Sequence, residues 1–217
     1  MKRAGVRSAL LAGLLAWAVP GAADEFEVAV TEAGPPDEVS SEIGEAVGAG
    51  SLVVSSGGDV VAELWLREDP PLLDPPDEVL EVSFGGLEET QLVGVIRVAR
   101  EWREYKGLAV APGVYTLRYA RRPADGNHMG VSMYRDFLLL TPAAGDTAVE
   151  VEWRVDEFHS RSMAATGQPH PASLALFPVW EEVAEPRILE NDVGQPMLGV
   201  PLGPFAIGLT VEGQGEH

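Results

Sequence analysis

Cysteine is absent from all 217 residues. That excludes a disulfide framework, an iron–sulfur cluster, a zinc–thiolate site and a cysteine nucleophile. Basic residues are scarce. Lys and Arg total 15 against 34 Asp and Glu, a formal charge of −19 at pH 7. So acidic a chain lacks the positive footprint that phosphate binding needs, and no nucleic-acid partner is expected. Several catalytic signatures are missing too. There is no Gly-x-Ser-x-Gly elbow, no His-Glu-x-x-His helix and no glycine-rich phosphate loop after a strand. Carboxylates are so abundant that a glycosidase-like pair would arise by coincidence. A hydrolase-type enzyme is therefore the third functional reading, behind two kinds of binding. With 46% of residues apolar and 23% charged, the chain is nevertheless not a wholly disordered one.

Residues 1–23 read as a secretory signal. Lys2, Arg3 and Arg7 form a positive start, Ala9 to Val19 an apolar run, and Pro20-Gly21-Ala22-Ala23 a small-residue cleavage region. The run falls short of the ~20 residues a bilayer span needs, so no membrane span is expected in the mature protein. Cleavage near Ala23 would leave a single β-rich domain over residues 24–217, placed in the periplasm or secreted. Removing Lys2, Arg3 and Arg7 leaves 12 basic groups against 34 acidic ones, a net of −22. The remaining charge is unevenly spread. Asp24 to Thr90 holds 18 acidic residues and one base, Arg67, whereas Gln91 to Arg122 holds seven bases against Glu101 and Glu104. The simplest reading is that this basic strip pairs internally with the acidic surface. Adaptation to salt and docking of an anionic partner are the alternatives.

Beyond residue 23 the hydrophobic period is mostly two. Phe26, Val28 and Val30 alternate with Glu27 and Ala29 as a first strand. One short helix is expected next, opened by Pro35-Pro36-Asp37-Glu38, striped by Val39, Ile43 and Val47, and ended by Gly48 and Gly50. Leu52–Ser56, Gly57-Gly58 and Asp59–Arg67 make a hairpin. The Asp-Pro-Pro repeats at 69–71 and 74–76 break regular structure. Further strands are expected at Val79–Phe84, Leu92–Val98, Leu108–Val110, Tyr115–Tyr119, Phe137–Leu140, Ala148–Val155, Ser173–Val179 and Phe205–Val211. Short strands separated by Gly/Pro turns predict an all-β fold, a β-sandwich of Ig-like or transthyretin-like type with one short N-terminal helix.

The chemistry concentrates between two strands, at Arg121, Arg122, Asp125, Asn127 and His128, with Arg135 and Asp136 following. Arginines, carboxylates, an amide and an imidazole on one loop are candidate ligand-binding groups. The same residue types also serve turns, where Asp and Asn bond nearby amides and Arg pairs with Asp. A metal reading competes with both. His128, Met129, Met133, His159, Met163 and His170 combine imidazole with thioether, a set that suits copper, especially Cu(I), if their loops share one end of the fold. Otherwise no cofactor is expected. Trp65, Trp102, Trp153 and Trp180 raise glycan binding; core packing is the competing role, and Trp65 and Trp153, among charged neighbours, are the best placed to face outward.

Pro112-Gly113-x-Tyr115-x-Leu117 resembles the turn-and-strand of transthyretin-like and Ig-like modules. The longer stretch Ala111 to Ala143, with Asp125-Gly126-Asn127-His128-Met129-Gly130 inside it, is similar to a family of secreted proteins of environmental bacteria. Thr166-Gly167 followed by His170-Pro171-Ala172 is similar to the same group. The resemblance implies a compact exported domain and supplies no reaction, cofactor or catalytic residue. The expected function is thus an exported, non-catalytic module with a binding or structural role, its partner a protein or a glycan. The alternative is periplasmic metal binding centred on His128.

Overall fold

Parity along the strands decides where the core lies. The computed structural model describes residues 25–103, 107–124 and 134–213. In β7 (Gly113–Arg121), Tyr115, Leu117 and Tyr119 face one side of the sheet, and Thr116, Arg118 and Ala120 face the other. β8 (Asp136–Pro142) pairs antiparallel with it, Leu117 opposite Leu140 and Tyr119 opposite Leu138. The remaining strands extend this ladder on both sides. They are β1 (Phe26–Thr31), β2 (Ser51–Ser56), β3 (Asp59–Leu66), β4 (Leu92–Val98), β9 (Ser173–Pro178), β10 (Arg187–Glu190), β11 (Pro196–Leu202) and β12 (Phe205–Thr210). A separate two-stranded ribbon joins β5 (Trp102–Arg103) to β6 (Ala109–Val110).

The order β1-β2-β3-β4-β7-β8-β9-β12-β11-β10 forms one antiparallel ten-stranded sheet. Its two edge strands, β1 and β10, approach each other, so the sheet is rolled almost into a barrel. The inner faces of the strands fill the interior with Val54, Leu64, Ile96, Leu117, Leu138, Leu174, Leu198 and Leu209. The chain is therefore mostly β, as expected. The strands run in one rolled sheet where two facing sheets were anticipated.

Two helices cover the outer face. α1 (Ser41–Val47) is shorter than the sequence suggests, because Ser40 caps it by accepting a hydrogen bond from the Ile43 amide; the two prolines stay in the preceding loop. It lays Ile43 and Val47 on Trp65, Leu92 and Val95. α2 (Val155–Thr166) was not anticipated, and residues 148–155, expected as a strand, instead run without ladder bonds into its start. Asp156 and Glu157 lie in its first turn, where carboxylates favour the helix dipole, and Gly167 closes it with φ of 64°. The helix buries Phe158, Ser162 and Ala165.

Val79–Phe84 also departs from expectation. It forms turns inside a long strap, residues 67–91, that crosses the end of the barrel where β3 stops and β4 starts. The strap drives Phe84 and Leu87 into the core, Phe84 meeting Phe205 edge-on at 5.4 Å. Its two arms are clasped by the Leu73 amide on the Gly86 carbonyl and the Asp77 amide on the Gly85 carbonyl. A β-carbon at residue 85 would overlap the Asp77 carbonyl oxygen, so that clasp requires glycine. β10 and β11, also unanticipated, complete the C-terminal hairpin.

Candidate functional site

Four of the expected ligand-binding residues are held in one polar network under the strap. Asp136, at the start of β8, accepts from the Ser83 amide at 2.8 Å, the Phe84 amide at 3.3 Å and the Tyr119 hydroxyl at 2.5 Å. Arg121 ends β7 and reaches across to Asp77 at 2.8 Å, to the Leu87 carbonyl at 3.1 Å and to the Tyr119 oxygen at 3.4 Å. Arg122 is buried and pairs with Glu81 at 3.1 Å. Arg135 donates from Nε to the Arg122 carbonyl at 2.8 Å, and its amide donates to the Glu81 carbonyl. These groups tie the strap to the β7–β8 hairpin. Burial pushes the Asp136 carboxyl above its ordinary value, while the two amides, the Tyr119 hydroxyl and the Arg121 charge pull it back. Burial, and then the neighbouring Asp136, hold the Tyr119 phenol far above the usual tyrosine range.

A second network lies on the outer face and was not anticipated. Arg118 and Asp146 are both fully buried and bonded twofold, Nε to Oδ2 at 2.6 Å and Nη2 to Oδ1 at 2.8 Å. Arg118 also donates to the carbonyls of Thr90, Ala148 and Val149. Trp153 receives guanidinium groups from Arg118, 4.8 Å from its ring centre, and Arg161, 4.5 Å away. These contacts pin the segment leading into α2. With Arg97–Glu63, Arg121–Asp77 and Arg122–Glu81, they show much of the basic strip paired with acidic partners inside the molecule.

The metal candidates divide. His128, Met129 and Met133, with the ligand candidates Asp125 and Asn127, lie outside the described residues. His159, Met163 and His170 come together on one cleft of about 300 Å³ between α2, the turn after it and the outer faces of β7–β9. Ala120, Phe137, Leu139 and Ser173 also line it, with Arg121 and Arg122 at one side. His159 and Met163 are one helical turn apart on the flank of α2, next to its buried stripe. The turn that carries His170 is fastened twice. The Ser162 hydroxyl donates to the Ala172 carbonyl at 3.0 Å, and the Thr166 hydroxyl lies 3.0 Å from the His170 carbonyl. His170 Nδ1 sits 2.9 Å from the Pro171 carbonyl oxygen. A carbonyl can only accept, so that contact places a proton on Nδ1, and in the neutral ring the lone pair is then on Nε2.

Among the described residues, no group of three or more His, Asp or Glu side chains is placed to hold a metal. Among the described residues no carboxylate lines the cleft. The tryptophans are mostly occupied. Trp65 faces outward but is covered by α1, Trp102 is buried, Trp153 lies between two arginines, and Trp180 is 85% exposed. In the barrel interior, a cavity lined by Leu64, Ile96, Leu174 and Leu198 holds about 20 Å³. No helix among the described residues is long and apolar enough to cross a membrane. Comparison with models of protein families, with curated proteins and with solved structures finds no match.

Proposed function

We propose that the chain is an exported, non-catalytic β-rich binding protein whose ligand occupies the cleft beside α2. The carrying observation is that cleft itself: an apolar floor of Ala120, Phe137 and Leu139 with polar groups at its margin, the usual build of a small-molecule site. Asp136 and Arg121, two groups that would have suggested catalysis, are engaged in holding the strap. Export rests on the signal-like residues 1–23, and the periplasm or exterior follows from it. Kinship with transthyretin-like and Ig-like modules rests on the Pro112-Gly113-x-Tyr115-x-Leu117 element and not on sheet order.

The test uses 8-anilinonaphthalene-1-sulfonate, an apolar fluorophore with an anionic end. Saturable one-to-one binding that is lost in Met163→Trp, a substitution that fills the cleft, is the expected result. No saturable binding, or binding unaltered by the substitution, would remove the cleft as the site.

A further inference from the structure

We infer that the cleft binds a monovalent soft metal ion, Cu(I), through His159, Met163 and the Nε2 atom of His170. The inference rests on the reading of the cleft as the binding site and names its occupant. Three observations carry it.

The first is donor chemistry. Among the described residues the wall offers two imidazoles and a thioether but no carboxylate, and the chain has no thiolate. Calcium and magnesium require several hard oxygen donors, and no carboxylate stands among the described residues of this wall. A thioether beside imidazoles favours Cu(I). The second is preparation of the donors. Two of them share one flank of α2, and the third sits on a turn fastened to that helix through Ser162 and Thr166. The Pro171 carbonyl fixes the His170 tautomer. This is the outer-shell contact that metal-ligating histidines use to orient the ring.

The third is charge. Arg121 and Arg122 at the side of the cleft would repel a cation, but each is paired, with Asp77 and with Glu81. The same pairing weakens their attraction for an anion. Imidazole and thioether donors, with no anionic side chain among the described residues of the wall, suit a single positive charge far better than a double one, since burying charge costs steeply.

Cu(I) is titrated into the purified full chain under reducing, anaerobic conditions against a chromophoric Cu(I) chelator. One ion per chain should be withheld from the chelator. Met163→Leu and His170→Gln, both near-isosteric, should each weaken binding by more than about tenfold. Far-UV circular dichroism of the metal-free variants checks that they fold. X-ray absorption of the copper-loaded wild type gives a reading that needs no variant. Because cysteine is absent, any sulfur neighbour of the copper is a methionine. One sulfur and two nitrogen scatterers are expected. No retained copper, a first shell without sulfur, or affinity unchanged in both variants would overturn the site. If the fluorophore still binds and is still blocked by Met163→Trp in that case, the metal assignment alone has failed. If fluorophore binding fails as well, the cleft reading falls with it.

Discussion

Asp136, at the start of β8, and Asp146, just beyond its end, show how one residue type takes two characters in one molecule. Asp146 faces a guanidinium at bonding distance, so its charge is matched within the protein. Asp136 receives mainly neutral donors, two amides and a phenol, and its burial is only partly offset. Its native pKa therefore lies above the unfolded one, and the folded state binds the proton more tightly. The stabilising contribution is present below the ordinary aspartate value and is lost as pH rises through the raised native value. Asp136→Asn cannot titrate. Wild type should thus lose stability relative to Asp136→Asn as pH is raised from about 4 to about 7, read by urea unfolding of both proteins. A constant difference over that window would show that the carboxyl titrates alike in folded and unfolded chains.

At the scale of elements, the strap depends on its backbone clasp. Gly85→Ala forces a methyl against the Asp77 carbonyl and should cost about 1–3 kcal/mol, as crowding in a packed region does. Amide exchange should accelerate over residues 77–88 while the β7–β8 ladder keeps its protection. Unchanged exchange in the strap would mean that the Asp136 and Arg121 contacts hold it unaided.

Elements were unequally legible in the sequence. Strands with strict alternation, such as Tyr115-Thr116-Leu117-Arg118-Tyr119, and the Gly57-Gly58 hairpin could be read directly, because parity and turn chemistry are local. α2 was hidden because its stripe, Phe158, Ser162 and Ala165, substitutes a hydroxyl and a methyl for large apolar groups. Its ends were written more clearly, in Asp156-Glu157 and Gly167. A signal for the cleft was present too. Phe137-Leu138-Leu139-Leu140 is apolar on both parities, which marks a strand covered on its outer side. The grouping of His159, Met163 and His170 follows from that covering helix. The attachment of Asp136 to Ser83, 53 residues earlier, is non-local, and no periodicity announces it.

At the scale of the whole molecule, the excess of acid dominates. The ion pairs absorb much of the basic strip, leaving an acidic surface over the rest of the chain. Raising NaCl from about 10 mM to about 0.5 M should increase Tm, because screening shortens the reach of repulsion to under ~10 Å. A Tm independent of salt would show that surface repulsion contributes little to stability.

The ten-stranded order has a narrow waist. β7 and β8 pair over seven residues and β11 with β12 over six, but β9 is joined to β8 by three pairs and to β12 by three. Within the ladder, β9 thus couples the larger arm of the sheet to the C-terminal arm through three pairs on each side. The cleft lies across half of that coupling, with Phe137 and Leu139 on β8 and Ser173 on β9 in its wall. An occupant there would act as a rivet between the two strands, and its arrival would register as stiffening where the ladder has fewest pairs.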